Sequence, residues 1–254
     1  LGRAPVCEPR LLRTGPSAVC HTDFNANRNA LMPVDIHAAI RQRHSTRAYL
    51  DKPVDRKTVE DILALARWAP SGVNTQPWQV CVVQGDSKRR LGEAIIAARD
   101  SGQKENPDYQ YYPREWVSPY KERRKACGLA LYQSLEIGRE DRDKQKAAWY
   151  RNYRFFDAPV GLLFLIEAKM EKGSWLDMGM FLQNVMLAAK GAGLDTCPQA
   201  SLAEYPDIVR EQLGLPADLQ VVCGMALGYA DPDHPVNQYR LERLAVDEFT
   251  RWYE

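Results

Sequence analysis

The spacing of apolar positions changes along the chain, and each spacing predicts an element. Val59, Ile62, Leu63 and Ala66 recur at i, i+3, i+4 and i+7, which predicts an amphipathic helix stopped by Pro70. Ile36, Ala39 and Ile40 mark one face of a shorter helix before it, and residues 88–98 predict a third helix. Trp175, Met178, Leu182, Val185, Met186 and Ala189 stripe a long helix that is apolar on most sides, hence central, and Gly191 and Gly193 end it. Residues 207–213 predict a short helix closed by Gly214 and Pro216. Apolar runs at 78–83, 160–166 and 219–227 predict buried strands. Nothing repeats and no Gly/Ser-rich linker divides the chain, so residues 32–254 are expected to form a single domain.

Two stretches break this alternation. Residues 1–31 are rich in Arg, Pro, Asn and Gly without periodicity, and a clean helical pattern opens only after Met32. They read as a flexible leader upstream of a start at Met32, with an organelle transit peptide as the alternative; the apolar core of a secretory signal is missing. Residues 101–156 form an excursion dense in rings: Tyr109, Tyr111, Tyr112, Trp116 and Tyr120 going out, Trp149, Tyr150, Tyr153, Phe155 and Phe156 coming back. Charged residues are interleaved throughout. The excursion is either a surface helical pair pinned by its rings or a lid lining a pocket for a flat substrate.

Charge and cysteines narrow the class. With 34 Lys+Arg against 33 Asp+Glu among 254 residues, the net charge of +1 gives no reason to expect nucleic acid or an acidic membrane surface. No window approaches the roughly 18 unbroken apolar residues of a membrane span. The six cysteines show no Cys-x-x-Cys, which suggests a reducing, cytoplasmic setting, and the four histidines lack metal-ligand spacing.

The chemistry concentrates in short polar motifs. Arg43, His44, Ser45, Thr46 and Arg47 put two guanidiniums and two hydroxyls into five residues. Pro70, Ser71, Gly72, Asn74 and Gln76 belong to a turn-forming segment that carries amides and runs into a strand. Together they suit a flavin mononucleotide: guanidiniums for the phosphate, amides for the ring edge. A solvated helix cap and a plain helix-to-strand connection are the competing readings. Arg240 and Arg243 lie in a later polar loop, as a phosphate clamp or as a surface cluster paired with Glu242 and Asp247. His44 reads as packing or loop support, and no Ser-His-Asp set appears.

In sequence order, 40–49, 69–78, the helix ending 188–194 with Pro198, Gln199, Ala200 and Ser201, and the close 226–229 with Arg240 and Arg243 resemble the FMN-dependent nitroreductase family over residues 33–254. The resemblance implies an α+β nitroreductase-like fold, with a central, mostly antiparallel sheet flanked by helices. It also implies an intertwined homodimer whose C-terminal segment wraps the partner and adds a strand to its sheet, with FMN at the interface. Carried over, Arg43, Ser45, Arg243 and Arg240 hold phosphate and ribityl chain, and Arg47 faces the N1/O2 edge. Ser71, Gly72, Asn74 and Gln76 approach the ring; backbone N–H groups near Ala200 and Ser201 face N5 and O4. Many members have Glu-Gly at that pair. The implied activity is ping-pong transfer from NAD(P)H to a nitroaromatic or quinone, with flavin-borne chemistry assisted by Arg47. A dehalogenating, dehydrogenating or flavin-cleaving sibling and a non-catalytic FMN-binding module share these residues. A helical interaction protein that docks through the excursion is the remaining alternative.

Overall fold

Four antiparallel strands in the order β1-β2-β4-β3 organise the molecule. The computed structural model describes residues 35–254. The leader expected at 1–31 lies outside them. β1 (Gln79–Gln84), β2 (Val160–Glu167) and β4 (Leu219–Gly228) fall where the apolar runs predict them. β3 (Asp195–Gln199) is not anticipated, because its sequence Asp-Thr-Cys-Pro-Gln carries no apolar run. Pro198 is tolerated there because β3 is an edge strand, paired in the sheet only with β4.

β2 is buried along almost its whole length, so it needs apolar side chains on both faces. Val160, Leu162, Phe164 and Ile166 pack toward α2 (Arg56–Ala66) and the long α6 (Lys172–Gly191). Leu163 and Leu165 pack on the other side with α3 (Gly85–Asp100) and α7 (Pro206–Leu213). One bulge interrupts the pairing of β2 with β4: Phe164 opposes Cys223 while Leu165 opposes Val221. The skipped Val222 carbonyl accepts a hydrogen bond from the Tyr109 hydroxyl. No helix among the described residues is long and apolar enough to cross a membrane.

The excursion divides in two. Its helices α4 (Tyr120–Ser134) and α5 (Arg142–Tyr150) bury no residue, and Tyr111 and Tyr112 are exposed. Its returning end is core: Tyr153, Phe155 and Phe156 are buried in a tight turn, with residues 155–157 all left-handed. Phe155 lies flat on Gly161 of β2, where a Cβ would come within 2.7 Å of the ring. Those three rings pack into the core, while Tyr111, Tyr112 and Trp149 stay exposed.

Candidate functional site

The arginine motif sits on extended backbone that follows α1 (Ile36–Gln42). Ser45 bridges Thr196 of β3, the Thr46 N–H donates to the Thr196 carbonyl at 3.0 Å, and Tyr49 bridges Ala230. Extended chain alternates its side chains. Thr46 and Ala48 point inward and are buried, leaving Ser45 and Arg47 to the other side. There they meet Arg43, His44, Arg240 and Arg243 in a cleft of about 660 Å³.

Asn237 locks this arrangement. Its Oδ1 accepts from the Arg47 N–H at 2.9 Å, while its Nδ2 donates to the carbonyls of Ala48 and Asp231 at 2.9 and 2.8 Å. Three of its four hydrogen-bonding positions are used and it is buried, so it fixes the register between two segments far apart in sequence. The Arg47 guanidinium donates to the Ser45 carbonyl and the Tyr239 hydroxyl, which sets its direction. Asn237 and Tyr239 escape sequence reasoning because a lone Asn and a lone Tyr in a polar loop carry no periodic signal.

The cleft is strongly positive. Arg41, Arg43, Arg47, Arg240 and Arg243 line it, and among the described residues no carboxylate does. Among the described residues none of the five has a carboxylate within 4.0 Å, so the pairing of the C-terminal arginines with Glu242 and Asp247 is not formed. Burial, followed by the nearby Arg243 charge, pushes the Arg43 guanidinium below its ordinary value. Burial also lowers His44; the bond to the Gln42 carbonyl opposes that shift and the Arg240 charge adds to it. Among the described residues the His44 ring hydrogen-bonds the Gln42 carbonyl at 3.0 Å and Thr46 Oγ1 at 3.4 Å, both local. Unpaired guanidiniums in a partly buried cleft bind a doubly charged phosphate well.

The other expected residues lie elsewhere on the chain. Pro70, Gly72, Asn74 and Gln76 are on an exposed turn outside the cleft, and half-buried Ser71 spends its hydroxyl accepting the Gln76 N–H at 3.0 Å. Val73, Asn74 and Gln76 have φ of 46°, 60° and 50°. Left-handed backbone at a β-branched residue such as Val73 is strained and is retained where geometry serves a purpose. Pro198 is exposed, Gln199 and Ser201 are buried, and Ala200 borders a separate 140 Å³ pocket with Tyr109, Tyr111, Tyr112 and Glu204. Gln199 Oε1 and Ser201 Oγ are buried without a partner among the described residues. Such orphans are rare in a finished polar site. Guanidiniums that bond carbonyls and a hydroxyl but no carboxylate among the described residues, together with orphaned polar atoms, fit a ligand that ends in phosphate and carries a polar ring.

A helix-flanked antiparallel sheet with an acid-free arginine cleft defines an anion-binding α+β protein. The model of the family described as Nitroreductase family matches residues 40–229. A nitrobenzene nitroreductase from Ectopseudomonas oleovorans is 41% identical over 212 residues, covering 83% of this chain and 93% of that one. A 4-nitrobenzoate reductase from Pseudomonas putida is 37% identical over 223 residues, covering 88% and 97%. The crystal structure of the FMN and NADPH-dependent nitroreductase NfnB from Sphigopyxis sp. strain HMH matches with a TM-score of 0.85 at 40% identity, covering 87% of this chain and all of that one. The chain belongs to the nitroreductase family.

Proposed function

We propose that this chain is an FMN-dependent NAD(P)H oxidoreductase that reduces nitroaromatic or quinone acceptors by alternating half-reactions. The observation that carries the reading is the acid-free arginine cleft, lying in a chain whose relatives are named nitrobenzene nitroreductase, 4-nitrobenzoate reductase and FMN and NADPH-dependent nitroreductase. When bound, FMN supplies the hydride chemistry. Arg43, Arg240 and Arg243 hold its phosphate, and Ser45 adds a neutral donor. Arg47, aimed by Tyr239 and Ser45, opposes the negative charge that builds on the pyrimidine edge during reduction. Asn74 and Gln76 offer amides to the ring, and the orphaned Ser201 hydroxyl and Gln199 carbonyl take up polar partners beside it.

A second copy completes the site in this reading. The 71–76 turn lies outside the arginine cleft of its own chain. Trp252 and Tyr253, 82% and 86% exposed, belong to a tail that also exposes Val246 and Phe249. Rings so bare suit a surface that another subunit covers. We read residues 32–254 as one FMN-binding domain of a homodimer, in a reducing cytoplasm.

The purified protein should be yellow, bleach with NADPH under anaerobic conditions, and recover colour on adding nitrobenzene or 4-nitrobenzoate. A colourless protein that takes up no FMN ends the flavin reading. One that holds FMN but is not bleached by either nicotinamide is a binding module.

A further inference from the structure

A buried carboxylate stands behind the strained 71–76 turn, and the chemistry above does not use it. Asp177 lies on α6, is 8% exposed, and accepts a hydrogen bond from the Gly72 N–H at Oδ2, 3.2 Å away. The other bonds of the turn are internal. The Asn74 and Thr75 N–H groups donate to the Ser71 and Gly72 carbonyls, Thr75 Oγ1 donates to the Gly72 carbonyl, and Gln76 donates to Ser71 Oγ and the Asn74 carbonyl. Among the described residues, the bond to Asp177 is the hydrogen bond that ties residues 71–76 to another element.

One helical turn further along α6, Phe181 stacks on Trp78 with ring centroids 4.7 Å apart and planes 3° apart. Residues four apart share a helix face. α6 therefore grips the segment twice on one face, Asp177 at the entry and Phe181 at the exit. Between the grips run left-handed Val73, Asn74 and Gln76, a backbone that relaxes unless both ends are held.

We propose that Asp177 is a positioning residue that holds the 71–76 turn in the shape in which Asn74 and Gln76 meet the flavin ring. The role lies in the acceptor oxygen rather than the charge, so an amide replaces it. The flavin half of this statement rests on the function proposed above; the anchoring half does not.

The test compares wild type, D177A, D177N, Q76A and D177A/Q76A as full-length holoenzymes. Amide exchange by NMR reads the anchor. In wild type the Gly72 amide should exchange at least tenfold more slowly than that of exposed Val73; equal rates overturn the anchor even if no variant folds. D177A should lose this protection and D177N keep it. Release of FMN on dilution reads the consequence: D177A should weaken retention about tenfold, and D177N less than threefold. In the Q76A background the same D177A change should cost less than it does in wild type, because part of its effect runs through Gln76. Independent effects of the two substitutions, or D177N as damaging as D177A, overturn the positioning role. A wild type that holds no FMN overturns the flavin reading, and the exchange rates still decide the anchor.

Discussion

At the residue scale the proposed function gives the arginines unequal duties. Arg43 is half-buried, beside Arg243, and without a carboxylate partner among the described residues, so an arriving anion stabilises its charge. R43A and R243A should each lose about 1.5–3 kcal/mol of FMN binding, a tenfold to hundredfold weakening in a titration of the flavin-free protein. R47A should weaken FMN less and instead lower the midpoint potential, since its charge meets the reduced ring. Equal effects of all three on affinity and potential would remove this division. His44 gives a pH signature. Its folded-state value is depressed, so below about pH 6.5 the unfolded chain takes up a proton that the folded chain resists, and stability is lost as pH falls. Replacing His44 with Gln should remove that loss: the urea midpoint of wild type should drop relative to the variant between about pH 7 and about pH 5, and not above. The motif arginines were legible because cations cluster visibly in sequence. Asn237 was not, because its importance arises from where the chain folds back.

At the scale of elements, sequence reads what repeats. β2, β4, α2 and α6 announce themselves through unbroken or helically spaced apolar positions. β3 does not, since its place in the sheet comes from β4 and from the Ser45 bridge rather than from its own side chains. The turn Arg151–Asp157 hides its core role because Arg151, Asn152, Arg154 and Asp157 alternate with the rings that are buried. Gly161→Ala tests that role. The added methyl meets Phe155 and should cost about 1–3 kcal/mol in a denaturation experiment. Pairing it with Phe155→Leu should return part of the loss; additive losses would mean that the ring and the glycine do not touch. The outgoing rings behave differently. Tyr111→Leu and Tyr112→Leu should leave stability within about 0.5 kcal/mol. Their effect should fall on preference among nitroaromatic acceptors, by more than about twofold in kcat/KM ratios. Smaller changes would assign specificity to the neighbourhood of Ala200.

For the whole molecule, the tail is the decisive piece. Removing residues 244–254 spares Arg243 and the Asn237 lock, yet strips off Phe249, Trp252 and Tyr253. If the tail clasps a second subunit, the shortened protein should sediment as a monomer or a weak dimer and lose flavin on dilution, with its sheet intact by circular dichroism. A yellow, stable dimer would show that association uses other surfaces. The expectation of a clasp rests on family resemblance and on residues 230–254, which carry Pro232, Pro235, Phe249 and Trp252 but no helical or strand period of their own.

The bond between the Arg47 N–H and Asn237 joins positions 190 residues apart. In a flexible chain, closing so long a loop costs about (3/2)RT ln 190, close to 5 kcal/mol before the constant term, a cost this bond shares with the neighbouring bridges Ser45–Thr196 and Tyr49–Ala230. The two halves of the cleft, Arg43 to Arg47 and Asn237 to Arg243, are therefore brought together by the sheet that lies between them in sequence rather than by sequence neighbours. A chain still under synthesis carries Arg43 and Arg47 before it carries Asn237, Arg240 and Arg243. On the function proposed above, a product truncated before Asn237 keeps Arg43 and Arg47 yet should hold FMN poorly, which a flavin titration of a chain ending at residue 236 checks.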